Sequence, residues 1–276
     1  MRSLLLALDD TPGGAGAANF ALYLAAKRGA AVTGASILDV DYLTAPSPGA
    51  IGTSHYKHRA DSARLKRGRE LTEHLFKNFQ QHCKARKVSG SVIALEGRPW
   101  DQLRTAAGSH DLIMIGHDSD LHGEVDSPLA KTVEKILHEN PRALIVTPDA
   151  VAETSRIVVA YDGSVPAARS LQIFTLLGLA EGCDLHVISA ASTQEAADRS
   201  ADDASRYLGL YGIACKTRAF ASKADPAALV VAEAKALDAE MIVMGAYGHR
   251  GWREALLGSF TTRLLSECPT ALFIHH

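Results

Sequence analysis

The order of short apolar runs and helical stretches in residues 1–148 is written again in residues 156–276, and this duplication constrains the fold most. Leu4–Leu8 followed by Asp9-Asp10-Thr11 corresponds to Ile157–Tyr161 followed by Asp162-Gly163-Ser164. Leu112–Ile115 corresponds to Met241–Met244, and Pro141–Val146 to Pro269–Ile274. Apolar runs alternating with helices require crossovers, hence a mainly parallel sheet with helices on both faces. The spacing between halves falls from 153 (Asp9 to Asp162) to 127 (Pro99 to Pro226), so the first half carries 26 extra residues. They fall between its second and third strands, in a loop at Asp39–His55 and a long charged helix at His58–Arg86. The expected organisation is two tandem α/β units, 1–148 and 156–276, joined by a polar linker at 149–155.

Composition narrows the class. The 276 residues are 47% hydrophobic, enough for two cores, with a formal charge of −2. That balance points away from nucleic acid and anionic membranes as partners. Cys83, Cys183, Cys215 and Cys268 show no framework spacing and suit reduced thiols, hence a cytoplasmic protein. The apolar run after Met1 is too short for a signal segment, and no stretch is long enough to span a bilayer.

The most chemically suggestive stretch runs from Gly245 to Ser259, between a predicted strand and a predicted helix. Free backbone N–H groups with a helix dipole behind them make an anion site there. Gly245 and Gly248 lack a Cβ where backbone must approach a ligand. Ser259 serves either as an N-cap or as a phosphate contact. The alternative is an ordinary strand–loop–helix joint with turn glycines.

Three separated motifs, Val159-Ala-Tyr-Asp162-Gly-Ser164, Leu185-His186-Val187 and G-x2-G-x9-G-S from Gly245 to Ser259, resemble the universal stress protein family. The match covers the second half; the first matches in layout. The resemblance implies a doubly wound fold in each half, a five-stranded parallel sheet in order 3-2-1-4-5. It also implies pseudo-symmetric packing of the halves through their fifth strands, Leu144–Val146 and Leu272–Ile274, and a possible homodimer. By position, Ala160 and Asp162 border adenine and ribose, and Val187, at the end of strand two, bonds the adenine through its backbone. Gly245, Gly248, Gly251 and Ser259 line the phosphates beside His249, Arg250, Phe260 and Thr261. Tyr161, Met244 and Gly258 complete the set. The implied cofactor is ATP, with magnesium as a possible companion.

The first half departs from that pattern. Ser119 stands at Gly248, Ala130 and Lys131 at Gly258 and Ser259, and Gly34 at Val187. Asp118, Asp120, Glu124 and Asp126 lie where phosphates would go and repel them. Eight of the twelve histidines are in this half, with His117 and His122 flanking Asp118 and Asp120; they read as solvated loop residues rather than metal ligands. The basic run Arg59–Arg69 reads as a solvated helix face. The Asp39–His55 loop is either a lid, a partner surface or disordered. No nucleophile–base pair is visible, so hydrolysis should be slow. The expected function is a nucleotide-dependent regulator acting on a protein partner; the alternatives are a scaffold with a vestigial site and an adenylating enzyme.

Overall fold

The computed structural model describes residues 1–45, 54–119, 133, 135–138, 142–222, 225–246, 259–267 and 269–276, with backbone only at 54–56. The elements of the first half are β1 (Ser3–Ala7), α1 (Pro12–Arg28), β2 (Ala31–Leu38), α2 (Val40–Leu43), α3 (Ser54–Arg86), β3 (Gly90–Glu96), α4 (Pro99–Ala107), β4 (Leu112–Gly116) and β5 (Ala143–Thr147). Residues 133 and 135–138 are also helical. The second half gives β6 (Arg156–Ala160), α5 (Val165–Leu176), β7 (Asp184–Ala191), α6 (Gln194–Leu210), β8 (Cys215–Ala221), α7 (Pro226–Ala236), β9 (Met241–Gly245), α8 (Ser259–Glu267) and β10 (Ala271–His275).

All ten strands form one sheet, in the order β3-β2-β1-β4-β5-β10-β9-β6-β7-β8. Each half therefore has the expected 3-2-1-4-5 order. Every pairing within a half is parallel. The seam is antiparallel, with Leu144, Ile145 and Val146 opposite Ile274, Phe273 and Leu272. Two apolar edges that would invite foreign strands thus cover each other, as the fifth-strand expectation required.

Local sequence explains the element ends. Thr11 caps α1 by accepting from the Gly14 amide, and Pro12 sits in the first turn, where its missing N–H costs nothing. Gly29 closes α1 in the left-handed region at φ 63°. Ser164, Thr193 and Asp225 cap α5, α6 and α7 in the same way. The expected Asp39–His55 loop is shorter than read at both ends. Asp39 accepts from the Tyr42 amide and starts α2, and α3 begins at Ser54; residues 46–53 lie outside the described residues.

Alternate residues of a strand face opposite sides of the sheet. Leu4 and Leu6 join Ile157, Val159, Phe174 and Phe273 in one core, while Leu5, Ile113, Val158, Ile242 and Leu272 join the other. Each core runs across the seam, so the molecule has one core per face rather than one per half. Continuous burial of β4, β5 and β10 on both faces is what an interior sheet demands. Among the described residues, no helix is long and apolar enough to cross a membrane.

Candidate functional site

In both halves the chain order reverses between the first and fourth strands, leaving a crevice at their carboxyl ends. In the second half β6 pairs with β9, Val159 level with Val243, which brings Tyr161 level with Gly245. Beyond β6, Asp162 Oδ1 accepts from the Ser164 amide at 2.9 Å, and Gly163 takes φ 78°. Ser164 Oγ then accepts from the Ala167 amide at 3.3 Å. The Asp-Gly-Ser triplet is thus a turn that aims a helix N-terminus at the crevice and leaves the Asp162 side chain exposed. The Tyr161 carbonyl accepts from Ser189 Oγ at 2.7 Å. Burial pushes the Tyr161 phenol above its ordinary value, and the charges of Asp203 and Asp162 push it further.

Val187 does not lie where sequence placed it. It is buried in the middle of β7, in register with Val159 and Thr217, because β7 continues to Ala191. The Ile188 carbonyl faces β6, accepting from the Tyr161 amide at 3.0 Å. Alternation therefore turns the Val187 backbone toward β8 and the Ala190 backbone toward β6. Since β6 ends at Ala160, opposite Ile188, the N–H and C=O of Ala190 stand past the neighbouring strand and face the crevice. Ala190 is the backbone position at the crevice that sequence reading did not single out. The parity of strand positions relative to the Asp162 turn was the signal that could have found it.

Gly245 closes β9, and a Cβ there would lie 2.6 Å from the Ala167 nitrogen and the Pro166 carbonyl carbon. Its first requirement is therefore close packing of α5 on β9, not a ligand. Met244 is buried core. The Ala246 amide donates to the His275 carbonyl at 2.9 Å, and the Ala246 carbonyl accepts from Thr261 Oγ1 at 2.7 Å. Thr261 is thus a buried positioning residue that holds the strand end to α8. Ser259 is the exposed first residue of α8, and half-buried Phe260 follows it. Gly248, His249, Arg250, Gly251 and Gly258 lie outside the described residues. Ala160, Tyr161, Asp162 and Gly245 lie together at this end of the sheet, and the Thr261–Ala246 bond ties the start of α8 to it.

The first half fills the equivalent place with its own anion. Asp118 Oδ1 accepts from the Gly13 amide at 2.9 Å, at the N-terminus of α1. Ser119 Oγ accepts from the Gly116 amide at 2.9 Å. Asp9 Oδ1 accepts from the amide and the hydroxyl of Thr11, at 3.1 and 2.6 Å. Burial raises the Asp9 carboxyl above its ordinary value; bonds from Ser119 and Thr11 oppose this, and the Asp118 charge adds to it. His117 Nδ1 lies 3.9 Å from Asp118 and 3.6 Å from Asp149. These three side chains bring their ligand atoms within 4.8 Å of one another, all at least partly exposed. Of the other acidic residues expected here, Asp120, Glu124 and Asp126 lie outside the described residues, as does His122.

Comparison with known proteins finds similarity chiefly in the second half. Residues 153–275 match the model of the universal stress protein family. A universal stress protein of Synechocystis sp. is 25% identical over 181 residues, which is 65% of this chain and 62% of that protein. The chain thus spans less than two thirds of that relative's length. Among solved structures, a universal stress protein from Archaeoglobus fulgidus DSM 4304 aligns with TM-score 0.70 over 99% of this chain and 95% of its own, at 17% identity. A functionally unknown protein from Pseudomonas aeruginosa PAO1 aligns with TM-score 0.57 over 100% of this chain and 92% of its own, at 19% identity. Both likenesses are of fold alone, and they cover the first half as well as the second.

Proposed function

We propose that this chain is a tandem universal stress protein, with units 1–148 and 156–276 joined by 149–155, that binds one adenine nucleotide in its second half. The reading rests on the family domain at 153–275 together with one geometric contrast. The second-half crevice combines the exposed Asp162 turn, the Ala190 backbone past the end of β6 and the start of α8. Its first-half counterpart has Asp118 on the helix N-terminus, where a phosphate would sit. ATP is the proposed ligand, with magnesium; the base lies against Tyr161 and Ala190, and the phosphates reach Gly245–Ser259. The chain supplies Asp162 to orient a ribose hydroxyl or a hydrated cation, but no base aligned on a water, so hydrolysis is slow. The protein then acts as a cytoplasmic regulator whose contacts with a protein partner follow nucleotide state.

Calorimetric titration with magnesium-ATP tests this and should give about one site per chain. Gly248→Val abolishes binding by placing a branched side chain in the phosphate path, while Ser119→Val leaves affinity unchanged. Ser259→Ala weakens binding a few-fold, the loss of one hydrogen bond of about 1 kcal/mol. Two equivalent sites, or binding that survives Gly248→Val and is lost with Ser119→Val, would refute the assignment. A protein that retains no nucleotide and binds none would favour the scaffold reading.

A further inference from the structure

A cavity of about 410 Å³ opens in the first half, at the carboxyl ends of β1 and β2 and against α3. That volume falls in the range of small-molecule sites. Much of its wall comes from α3, part of the segment by which the first half exceeds the second. Leu38, Leu43, Leu71 and Leu75 supply apolar surface. Gly68 keeps α3 close and the space open: a Cβ there would lie 2.4 Å from Leu38 Cδ1.

The polar groups differ from one end of the cavity to the other. Asp9 and Asp39 line it from the strand ends, and Asp39 is only 5% exposed. Asp39 Oδ1 accepts from the Tyr42 amide. The Thr11 bonds go to Asp9 Oδ1, and the buried Oδ2 has no donor at hydrogen-bond distance among the described residues. A buried carboxylate favours added donors. From α3, Arg64 and Arg67 line the cavity. Arg64 is 3.9 Å from Asp61, while exposed Arg67 has no ion pair or hydrogen bond among the described residues. This is the part of the basic Arg59–Arg69 run that a solvated helix face does not account for. Carboxylates on the strand side, arginines on the α3 side and leucines in the same lining fit a ligand with a donor, an apolar body and an anionic group.

We propose that this cavity binds a small hydroxylated aromatic carboxylate. The ring lies between Leu38, Leu43, Leu71 and Leu75, the carboxylate pairs with Arg64 and Arg67, and the hydroxyl donates to the Asp9–Asp39 end. A nucleoside triphosphate is disfavoured because Asp118 already takes the Gly13 amide next to Asp9. The site is independent of the nucleotide proposed for the second half.

The probe is 4-hydroxyphenylacetate, titrated into the full chain by calorimetry and by amide chemical shifts. At about 0.3 kcal/mol per non-hydrogen atom, a ligand of this size gives a dissociation constant of about 4 mM. Phenylacetate, without the donor, and methyl 4-hydroxyphenylacetate, without the charge, should each bind several-fold more weakly. Gly68→Leu, which fills the cavity, and Arg64→Glu/Arg67→Glu, which only changes exposed charges, should each weaken binding about tenfold or more. The exposed arginine variant keeps the test valid if Gly68→Leu does not fold. No saturable binding, binding indifferent to the arginine variant, or displacement of the probe by magnesium-ATP would overturn the proposal. Magnesium-ATP titration of the same variants reads the second half separately, so failure of one site is distinguishable from failure of the other.

Discussion

At the carboxyl ends of β1 and β4 a carboxylate lies on a helix N-terminus; at the same ends of β6 and β9 the chain offers a helix start and an exposed aspartate instead. Asp118 accepts from Gly13 in the first half. Pro166, the counterpart of Gly13 in the second, has no N–H to hold such a side chain. The two crevices share strand order, register and capping, so the fold is not what separates them. The first half thus satisfies a helix N-terminal amide with its own carboxylate, while the second half has, among the described residues, neither that amide nor an internal anion bonded to it. The difference teaches that a duplicated fold can keep its geometry while its two crevices come to hold different charges.

The glycines at the ends of β4 and β9 give the largest expected effect. A Cβ on Gly116 would lie 2.3 Å from the Gly13 carbonyl carbon, and one on Gly245 2.6 Å from the Ala167 nitrogen. Both contacts are with backbone, which cannot rotate away. Gly116→Val and Gly245→Val should each cost about 3 kcal/mol by overpacking, measured as a loss in the urea midpoint. If Gly245→Val abolished ATP binding with stability intact, the glycine would be a ligand contact rather than a packing one.

The next effect separates the halves at the other end of the sheet. Asp111 Oδ2 accepts from the Arg2 and Ser3 amides at 2.6 and 3.0 Å, and Glu240 Oε2 accepts from the Ser155 amide at 2.6 Å in the same role. Glu240 also receives the Tyr23 hydroxyl at 3.0 Å and lies 3.8 Å from Lys27, so it ties α1 to the second half. It is fully buried. Glu240→Ala should cost about 2 kcal/mol, below the usual cost of breaking a buried pair because Lys27 reaches solvent. Asp111→Ala should cost about 1 kcal/mol. Burial raises the Asp111 carboxyl, but the two amides and the nearby N-terminal ammonium outweigh it, leaving it below its ordinary value. Its stabilisation is therefore present above the unfolded value of 3.8 and lost as pH falls through the lower folded value. Equal costs for the two substitutions would remove the claim that Glu240 joins the halves.

A smaller effect tests the internal anion itself. Asp118→Asn weakens the bond from Gly13 and removes a charge favoured by the α1 N-terminus, so stability should fall by about 1 kcal/mol at low salt. The difference should shrink as salt rises, because Asp118 is partly exposed. A neutral outcome would mean that the carboxylate merely occupies the position without being held there.

Much of this contrast was legible in sequence, and the parts that were not share one cause. Apolar runs such as Leu112–Ile115 and Leu272–Ile274 fixed the strands because burial on both faces leaves no other reading. Thr11, Ser164 and Asp225 marked helix starts through local hydrogen bonds. The place of Val187 at a strand end was misread because a motif position does not reveal how far a strand continues; Ala190 faces the crevice only because β6 stops at Ala160. Gly245 suggested a ligand, since the approach of Ala167 comes from a helix nearly eighty residues earlier. Asp118 was read as one of several repelling charges, yet its bond to Gly13 spans 105 positions. Capping is local and periodic burial is regular, while register ends and long-range approaches belong to the assembled sheet.

The smallest expected effect has the clearest sign. Asp9 and Asp162 are counterparts, but Asp162 is exposed and Asp9 is largely buried, with its carboxyl raised above 3.8 chiefly by burial. Ionised Asp9 therefore costs stability at neutral pH. That cost falls away as pH drops through the raised folded value and is absent below the unfolded one. Asp9→Asn removes the charge, keeps an oxygen to accept from Thr11, and points an amide donor toward Ser119, whose Oγ can still accept. The variant should be more stable than the parent at pH 7, and the gap should close on acidification. Asp162→Asn, at the exposed counterpart, should stay within about 0.5 kcal/mol of the parent at both values. Urea unfolding of the three proteins at pH 7 and pH 4 reads this directly. A gap for Asp9→Asn that widened toward pH 4 would mean that the buried carboxylate is stabilised by its bonds, and that the first-half crevice has fully absorbed its charge.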